Sequence, residues 1–364
     1  MRTLRAKNRV CWIAVFLSSF APLATDQPTL SASTGVLAQQ DSIVAHNQQR
    51  TADEEPPFNL TAKTLGGVEF WADEQIQRGW RIQRNVIAGH CRLLDTENVR
   101  RAWGSLEQCQ KALNTVAQQQ AWPRSDGRVI LVLHGLGSFR GRMQHVIEAL
   151  SGMPNTEVYG VSYPSLMSDV DDHAAQLARV LSGFSDAQEI NFVGHSLGNI
   201  VVRRLLALQM ENHPQGKHDE RIKRIVMIAP PNHGSSRAAA WAENPLFKSV
   251  IGETGQQLGA KWNDLAKQLA TPQCEFGIIA GARGDGNGWN ANIPGDDDGT
   301  ISVETTKLPG ASDFVTVPVF HTLSESNDKV LAYTAKFIEH GFFVSANARQ
   351  PIESTEEKII NDKN

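Results

Sequence analysis

The sequence predicts an α/β protein built on a doubly wound, mostly parallel sheet, and three observations lead there. Short apolar runs at 129–133, 158–163, 190–193 and 222–229 alternate with longer stretches of helical period. The run Val129-Ile130-Leu131-Val132-Leu133 has no polar residue in it, which is the pattern of a strand covered on both faces. Two of the runs lead straight into glycine turns, His134-Gly135-Leu136-Gly137 and Gly194-His195-Ser196-Leu197-Gly198, each followed by a helical pattern. With 364 residues, 41% apolar and 20% charged, the chain is long enough to bury one large core.

The elements follow in order. Arg2, Arg5, Lys7 and Arg9 precede an apolar stretch at 10–17 and then small residues, the pattern of an export signal over 1–24, with a later cut at 38 as the other choice. The stretch is shorter than the roughly 20 residues that cross a bilayer, so export is expected over anchoring. Loss of 1–24 removes four basic and no acidic residues, taking the formal charge from −4 to −8. Residues 25–57, rich in Gln, Ser, Thr, Asp and Glu, read as a flexible leader. In 58–124, Trp71, Trp80, Ile82, Val86 and Ile87 mark early strands and 105–119 a helix, all expected to join an edge of the main sheet.

The core is expected over 125–343. A helix after the first glycine turn places Met143, Val146, Ile147 and Leu150 on one face, and another from Ser168 does so with Val170, Ala174, Leu177 and Leu181. Residues 232–272 form an insertion in which Leu258, Trp262, Leu265 and Leu269 recur at helical spacing, either as a lid over an acyl pocket or as a helix packed on the sheet. The runs 275–281 and 314–317 are the late strands, and Val330, Thr334, Phe337 and Ile338 share a face of the last helix. Residues 344–364 are expected to be a disordered tail.

The second glycine turn has the form of a nucleophile elbow, where a serine sits on a tight strand-to-helix turn and the residues two before and two after it must lack bulk. Ser196 is thus the candidate nucleophile. The backbone N–H groups of Leu136 and Leu197 are the candidate oxyanion donors, because a tetrahedral intermediate needs fixed donors beside the serine. A hydroxyl is a poor nucleophile near neutrality, so a base must take its proton, and His321 lies in the loop after the last strand. The acid that orients the base belongs in the loop after 275–281. Asp298 is chosen there over Asp296 and Asp297, with Asp285 and Glu304 as weaker rivals. His195, inside the elbow, is expected to pack rather than react, and the carboxylates at 296–298 to be solvated rather than to hold a cation.

These motifs, together with Ala229-Pro230-Pro231-Asn232-His233-Gly234-Ser235, Asp298-Gly299-Thr300 and His321-Thr322, resemble those of the α/β-hydrolase-fold lipases and carboxylesterases, particularly the bacterial lipase-like group. The resemblance spans roughly residues 125 to 343 and fades before 125. It implies a fold of the α/β-hydrolase type, a triad of Ser196, Asp298 and His321, oxyanion donors at Leu136 and Leu197, and hydrolysis of carboxylic esters, lipid esters foremost. Acyl transfer or amide cleavage by the same triad, and a binding protein that has lost catalysis, are the alternatives.

Other classes are disfavoured. No C-x-x-C or His-rich spacing suggests zinc, and no G-x-G-x-x-G or P-loop suggests a nucleotide, so no cofactor or metal is expected. No basic stripe with interleaved aromatics is present, so nucleic acid is not an expected partner, and no obligate protein partner is inferred. Cys11 falls in the signal, leaving Cys91, Cys109 and Cys274, of which the first two are candidates for a bridge.

Overall fold

A computed structural model describes residues 62–64, 69–235 and 252–353. The signal, the leader and part of the expected lid, 236–251, lie outside them. The central sheet has six strands: β6 (Arg128–Leu133), β7 (Thr156–Val161), β8 (Glu189–His195), β9 (Ile222–Ile228), β10 (Glu275–Ala282) and β11 (Asp313–Pro318). They run in the order β11-β10-β9-β8-β6-β7, every pair parallel.

Both faces are covered, which is why the strands read as unbroken apolar runs. Val129, Leu131 and Leu133 of β6 point into one core with Val170, Ala174, Leu177 and Leu181 of α3 (Val170–Ser182) and with Ile200, Val201 and Leu205 of α4 (Leu197–Asn212). Ile130 and Val132 point into the other, against Val146 and Leu150 of α2 (Gln144–Leu150) and Val330, Phe337 and Ile338 of α8 (Asp328–His340). Asp169 caps α3, its carboxylate accepting from the Asp172 N–H, and Asn327 caps α8 through the Lys329 and Val330 amides.

The N-terminal strands do not join this sheet's hydrogen-bond ladder. They form an antiparallel sheet of their own, ordered β1-β5-β4-β3-β2, from Ala62–Lys63, Trp71–Gln77, Trp80–Asn85, Cys91–Leu94 and Val99–Gly104 in chain order. The reason is local: short turns fold 71–104 back on itself, and α1 (Leu106–Gln119) supplies the apolar cover, with Cys109 and Leu113 packed on Ile82, Cys91, Leu93 and Ala102. Ser105 and Gln108 form a capping box at the start of α1. Cys91, Cys109 and Cys274 are free thiols. The two sheets meet where the Asp73 N–H donates to the Ser162 carbonyl at 2.9 Å and the Ser162 N–H to the Asp73 carboxylate at 2.7 Å, just past the end of β7.

Two further expectations need correcting. The stripe Leu258, Trp262, Leu265 and Leu269 is not one helix but two short ones, α5 (Gly252–Leu258) and α6 (Trp262–Ala266), and Leu258 and Leu265 are buried in the sheet core. The stretch 344–352 is not a loose tail. Ile352 exchanges backbone hydrogen bonds with Gly310 and Ala311, and Arg349 pairs with Glu275 at 3.0 Å. Among the described residues no helix is long and apolar enough to cross a membrane.

Candidate active site

In an open parallel sheet, ligands bind beyond the carboxyl ends of the strands, at the point where the chain reverses its direction of travel across the sheet. Here that point lies between β6, from which the chain moves outward to β7, and β8, to which it returns. Both glycine turns sit there. β8 ends at His195 and α4 begins at Leu197, so Ser196 alone makes the turn, at φ 52° and ψ −119°, a positive-φ conformation that residues with a side chain seldom adopt. The flanking glycines are demanded by space. A Cβ on Gly198 would lie 2.7 Å from the Leu133 carbonyl oxygen, and one on Gly194 would lie 2.3 Å from Asn199 Oδ1. The Ser196 N–H donates to the Ile228 carbonyl at 2.9 Å, fixing the elbow to β9.

The loops after β10 and β11 reach the same end of the sheet. His321 Nε2 lies 3.0 Å from Ser196 Oγ, and His321 Nδ1 lies 2.6 Å from Asp298 Oδ2. A carboxylate only accepts, so Nδ1–H donates to Asp298 and the lone pair of Nε2 faces the serine hydroxyl, which donates to it. This is the α/β-hydrolase fold. Its strained serine elbow stands at the switch point, and serine, acid and histidine follow in that chain order.

Asp298 is 1% exposed and Asp297 fully buried, so these carboxylates are not solvated as expected. The surrounding loop supplies the hydrogen bonds instead. Asp298 Oδ1 accepts from the Thr300 and Ile301 amides at 2.9 and 2.7 Å, and its carbonyl accepts from the His321 N–H at 2.8 Å. The rivals are engaged elsewhere: Asp296 with the Arg283 and Gly284 amides, Asp297 with those of Asn290 and Gly299, Asp285 with Arg283, and Glu304, in the short α7 (Val303–Thr306), with Lys307.

The turn after β6 presses on the elbow, where a Cβ on Gly135 would lie 3.3 Å from Ser196 Cβ. Leu136 is the next residue of that turn, and Leu197 heads α4, where first-turn amides lack a helical acceptor. The turn is braced from outside the core. The Gly137 N–H donates to Ser165 Oγ at 2.9 Å, Ser165 Oγ–H donates to Glu69 Oε1 at 3.0 Å, and Glu69 Oε2 accepts from the Leu166 N–H at 2.8 Å. Tyr163 stacks on the His134 ring at 4.1 Å and its hydroxyl donates to the His134 carbonyl. Burial pushes the His134 imidazole down to about 4, which keeps it neutral.

His195 packs, with Nε2 3.1 Å from the carbonyl of His321 and 4.0 Å from Glu325 Oε2. Burial, with the neighbouring His321, lowers it to about 4. Glu325 is itself buried and takes Arg142 at 2.6 Å, while Arg142 also donates to the Thr322 carbonyl at 2.8 Å. The segment after the first glycine turn is thereby clamped to the histidine loop. Neither brace was legible in the sequence: Gly137 and Glu69 lie 68 positions apart, and Arg142 and Glu325 lie 183 apart with no motif around them. Phe139, Met167, Phe320 and Leu323 are exposed at this end of the sheet, with Trp289 stacked on Phe320 at 4.3 Å.

Residues 95–251 match a family described as a domain of unknown function, DUF7379. No curated protein matches the chain in sequence. Among solved structures, the chain is similar to the product of the gene lin2722 from Listeria innocua, at 14% identity and a TM-score of 0.43 over 63% of this chain and 99% of that one. It is also similar to phospholipase PlaB from Legionella pneumophila, at 16% identity and a TM-score of 0.43 over 65% of this chain and 61% of that one. A third is the metagenomic carboxyl esterase MGS0156, at 16% identity and a TM-score of 0.41 over 56% of this chain and 66% of that one.

Proposed function

We propose that this protein is an exported serine hydrolase that cleaves carboxylic esters, lipid esters foremost, through an acyl-enzyme on Ser196. One observation carries the reading: an unbroken hydrogen-bonded line from Ser196 Oγ through His321 to a buried Asp298. In the first half-reaction His321 takes the hydroxyl proton as the serine oxygen attacks the ester carbonyl. The Leu136 and Leu197 amides hold the resulting oxyanion, and His321 returns the proton to the departing alcohol. A water then repeats the sequence on the acyl-enzyme and regenerates Ser196. Asp298 holds the ring in one tautomer and stabilises the imidazolium.

Substrate class rests on the exposed apolar side chains Phe139, Met167, Phe320 and Leu323, which favour an acyl chain or lipid surface at the mouth. The test is hydrolysis of p-nitrophenyl esters from acetate to palmitate. Ser196→Ala is expected to lower kcat by on the order of a million-fold while leaving the thermal unfolding curve in place. Equal turnover by wild type and variant would remove the serine from the chemistry.

A further inference from the structure

One face of the small antiparallel sheet brings two buried arginines, with a third from outside the sheet, to a single buried carboxylate, a surplus of positive charge that the proposed ester chemistry does not use. Cross-strand register sets Asp73, Gln83, Arg92 and Trp103 in one row, side chains on one face. Arg81 joins them from β3, and Arg140, at the start of the turn before α2, reaches the same region by donating to Asn98 Oδ1. A Cβ on Gly160 would lie 3.3 Å from Arg140 Cβ, and the Gly160 carbonyl accepts from Arg81 Nη1 at the same distance.

Asp73 faces these three guanidinium groups and is already saturated. It accepts from Arg81 Nη1 at 2.5 Å, Gln83 Nε2 at 2.8 Å and the Ser162 N–H at 2.7 Å. Arg92 therefore bonds to an amide oxygen, Gln83 Oε1, at 2.8 and 3.1 Å, and lies 3.8 Å over the Trp71 ring. Arg140 bonds to another amide. Among the described residues neither has a carboxylate partner. Burial pulls both Arg92 and Arg140 down to about 10 against the attraction of Asp73, with repulsion from Arg100 adding to it at Arg92 and from Arg81 and Arg92 at Arg140. Guanidinium groups that crowd one already engaged carboxylate are costly to hold, and a multivalent oxyanion offsets that cost.

We infer that this face is an anion site that takes a phosphate group between Arg92 and Arg140, against the edge formed by Trp71 and His90. Planar guanidinium forks match phosphate oxygens in pairs. Two sources have that chemistry, free phosphate and a phospholipid headgroup. The second gains from the exposed Phe70 and Phe139, which immediately precede Trp71 and Arg140, and from Ile87 near His90.

The test is thermal unfolding of the full chain in millimolar inorganic phosphate against chloride of equal ionic strength. It is paired with co-sedimentation on vesicles of phosphatidylcholine alone or mixed with phosphatidylglycerol. Phosphate is expected to raise the wild-type midpoint by about 2 °C or more, and not that of Arg92→Gln or Arg140→Gln. Without ligand, Arg140→Gln should unfold no lower than wild type, because a repelled charge has been removed; a purely structural arginine would lower it. If Arg92→Gln does not fold, Arg140→Gln carries the test alone. Binding to the mixed vesicles alone, lost in Arg140→Gln, assigns the site to headgroups. A phosphate shift that survives in Arg140→Gln, equal binding to both vesicles, or no response to either ligand overturns the inference.

Discussion

Asp298 suits the proposed acid's role by direction as much as by distance. Its Oδ2 meets His321 while Oδ1 is held by two backbone amides, so the carboxylate cannot rotate away without leaving three donors unmet. Asp298→Asn keeps the shape but can donate to Nδ1, favouring the tautomer whose Nε2 carries the hydrogen. It is expected to lower kcat by about 10⁴-fold with little change in KM, measured on a short p-nitrophenyl ester. The sequence points to this loop for the acid and to Asp298 within it, yet spacing says little about where each of three successive aspartates is directed. Only the turn geometry, which sends Asp296 and Asp297 to other amides, separates them.

Three histidines near the site are neutral by burial: His134 and His195 fall to about 4, and His173 to about 3. In the unfolded chain each titrates near 6.5, so between that pH and about 4 the unfolded state binds more protons and folding weakens as pH falls. Stability is thus fully present above pH 6.5 and declines through the window below it, by on the order of a few kcal/mol per histidine. Urea unfolding at pH 7 and pH 4.5 checks this; equal midpoints would contradict it.

Among the elements, the first turn of α4 meets the end of β6 directly, because Gly198 has no side chain to strike the Leu133 carbonyl. Gly198→Ala forces the first turn of α4 outward and moves Ser196 away from His321. Activity should fall at least 100-fold, with about 1–3 kcal/mol of stability lost, as read by kinetics and denaturant melts on the same preparation. The central elements were legible because each obeys a local rule: strands buried on both faces read as apolar runs, and α8 shows its buried Val330, Thr334, Phe337 and Ile338 at helical spacing. The small sheet was misplaced because strand patterns carry no address. Trp71–Gln77 and Trp80–Asn85 look alike whether their partners are each other or a distant edge, and the short turns joining them decided the matter. The pinned segment 345–352 was missed for a similar reason, since its contacts are backbone hydrogen bonds and one ion pair rather than an apolar stripe.

Across the whole molecule, the same end of the sheet carries Ser196 and the exposed Phe139, Phe320 and Leu323. A lipid surface that covers these side chains would present ester to the serine directly. Turnover on a sparingly soluble ester is therefore expected to jump above its solubility limit, whereas smooth saturation through that limit would count against a lipid substrate.

The central sheet also ends in two unlike ways. Beyond β7 the outer strand is met by Asp73 of the small sheet, and beside β11 the returning chain at Ile352 bonds to Gly310 and Ala311. Unpaired strand margins invite other chains to add to them, and each attachment sets a linked segment in the way at one end of such a margin. A chain trimmed to residues 125–343, the span that carries every motif of the proposed chemistry, loses both obstructions at once. Such a fragment is expected to assemble with copies of itself instead of staying dispersed.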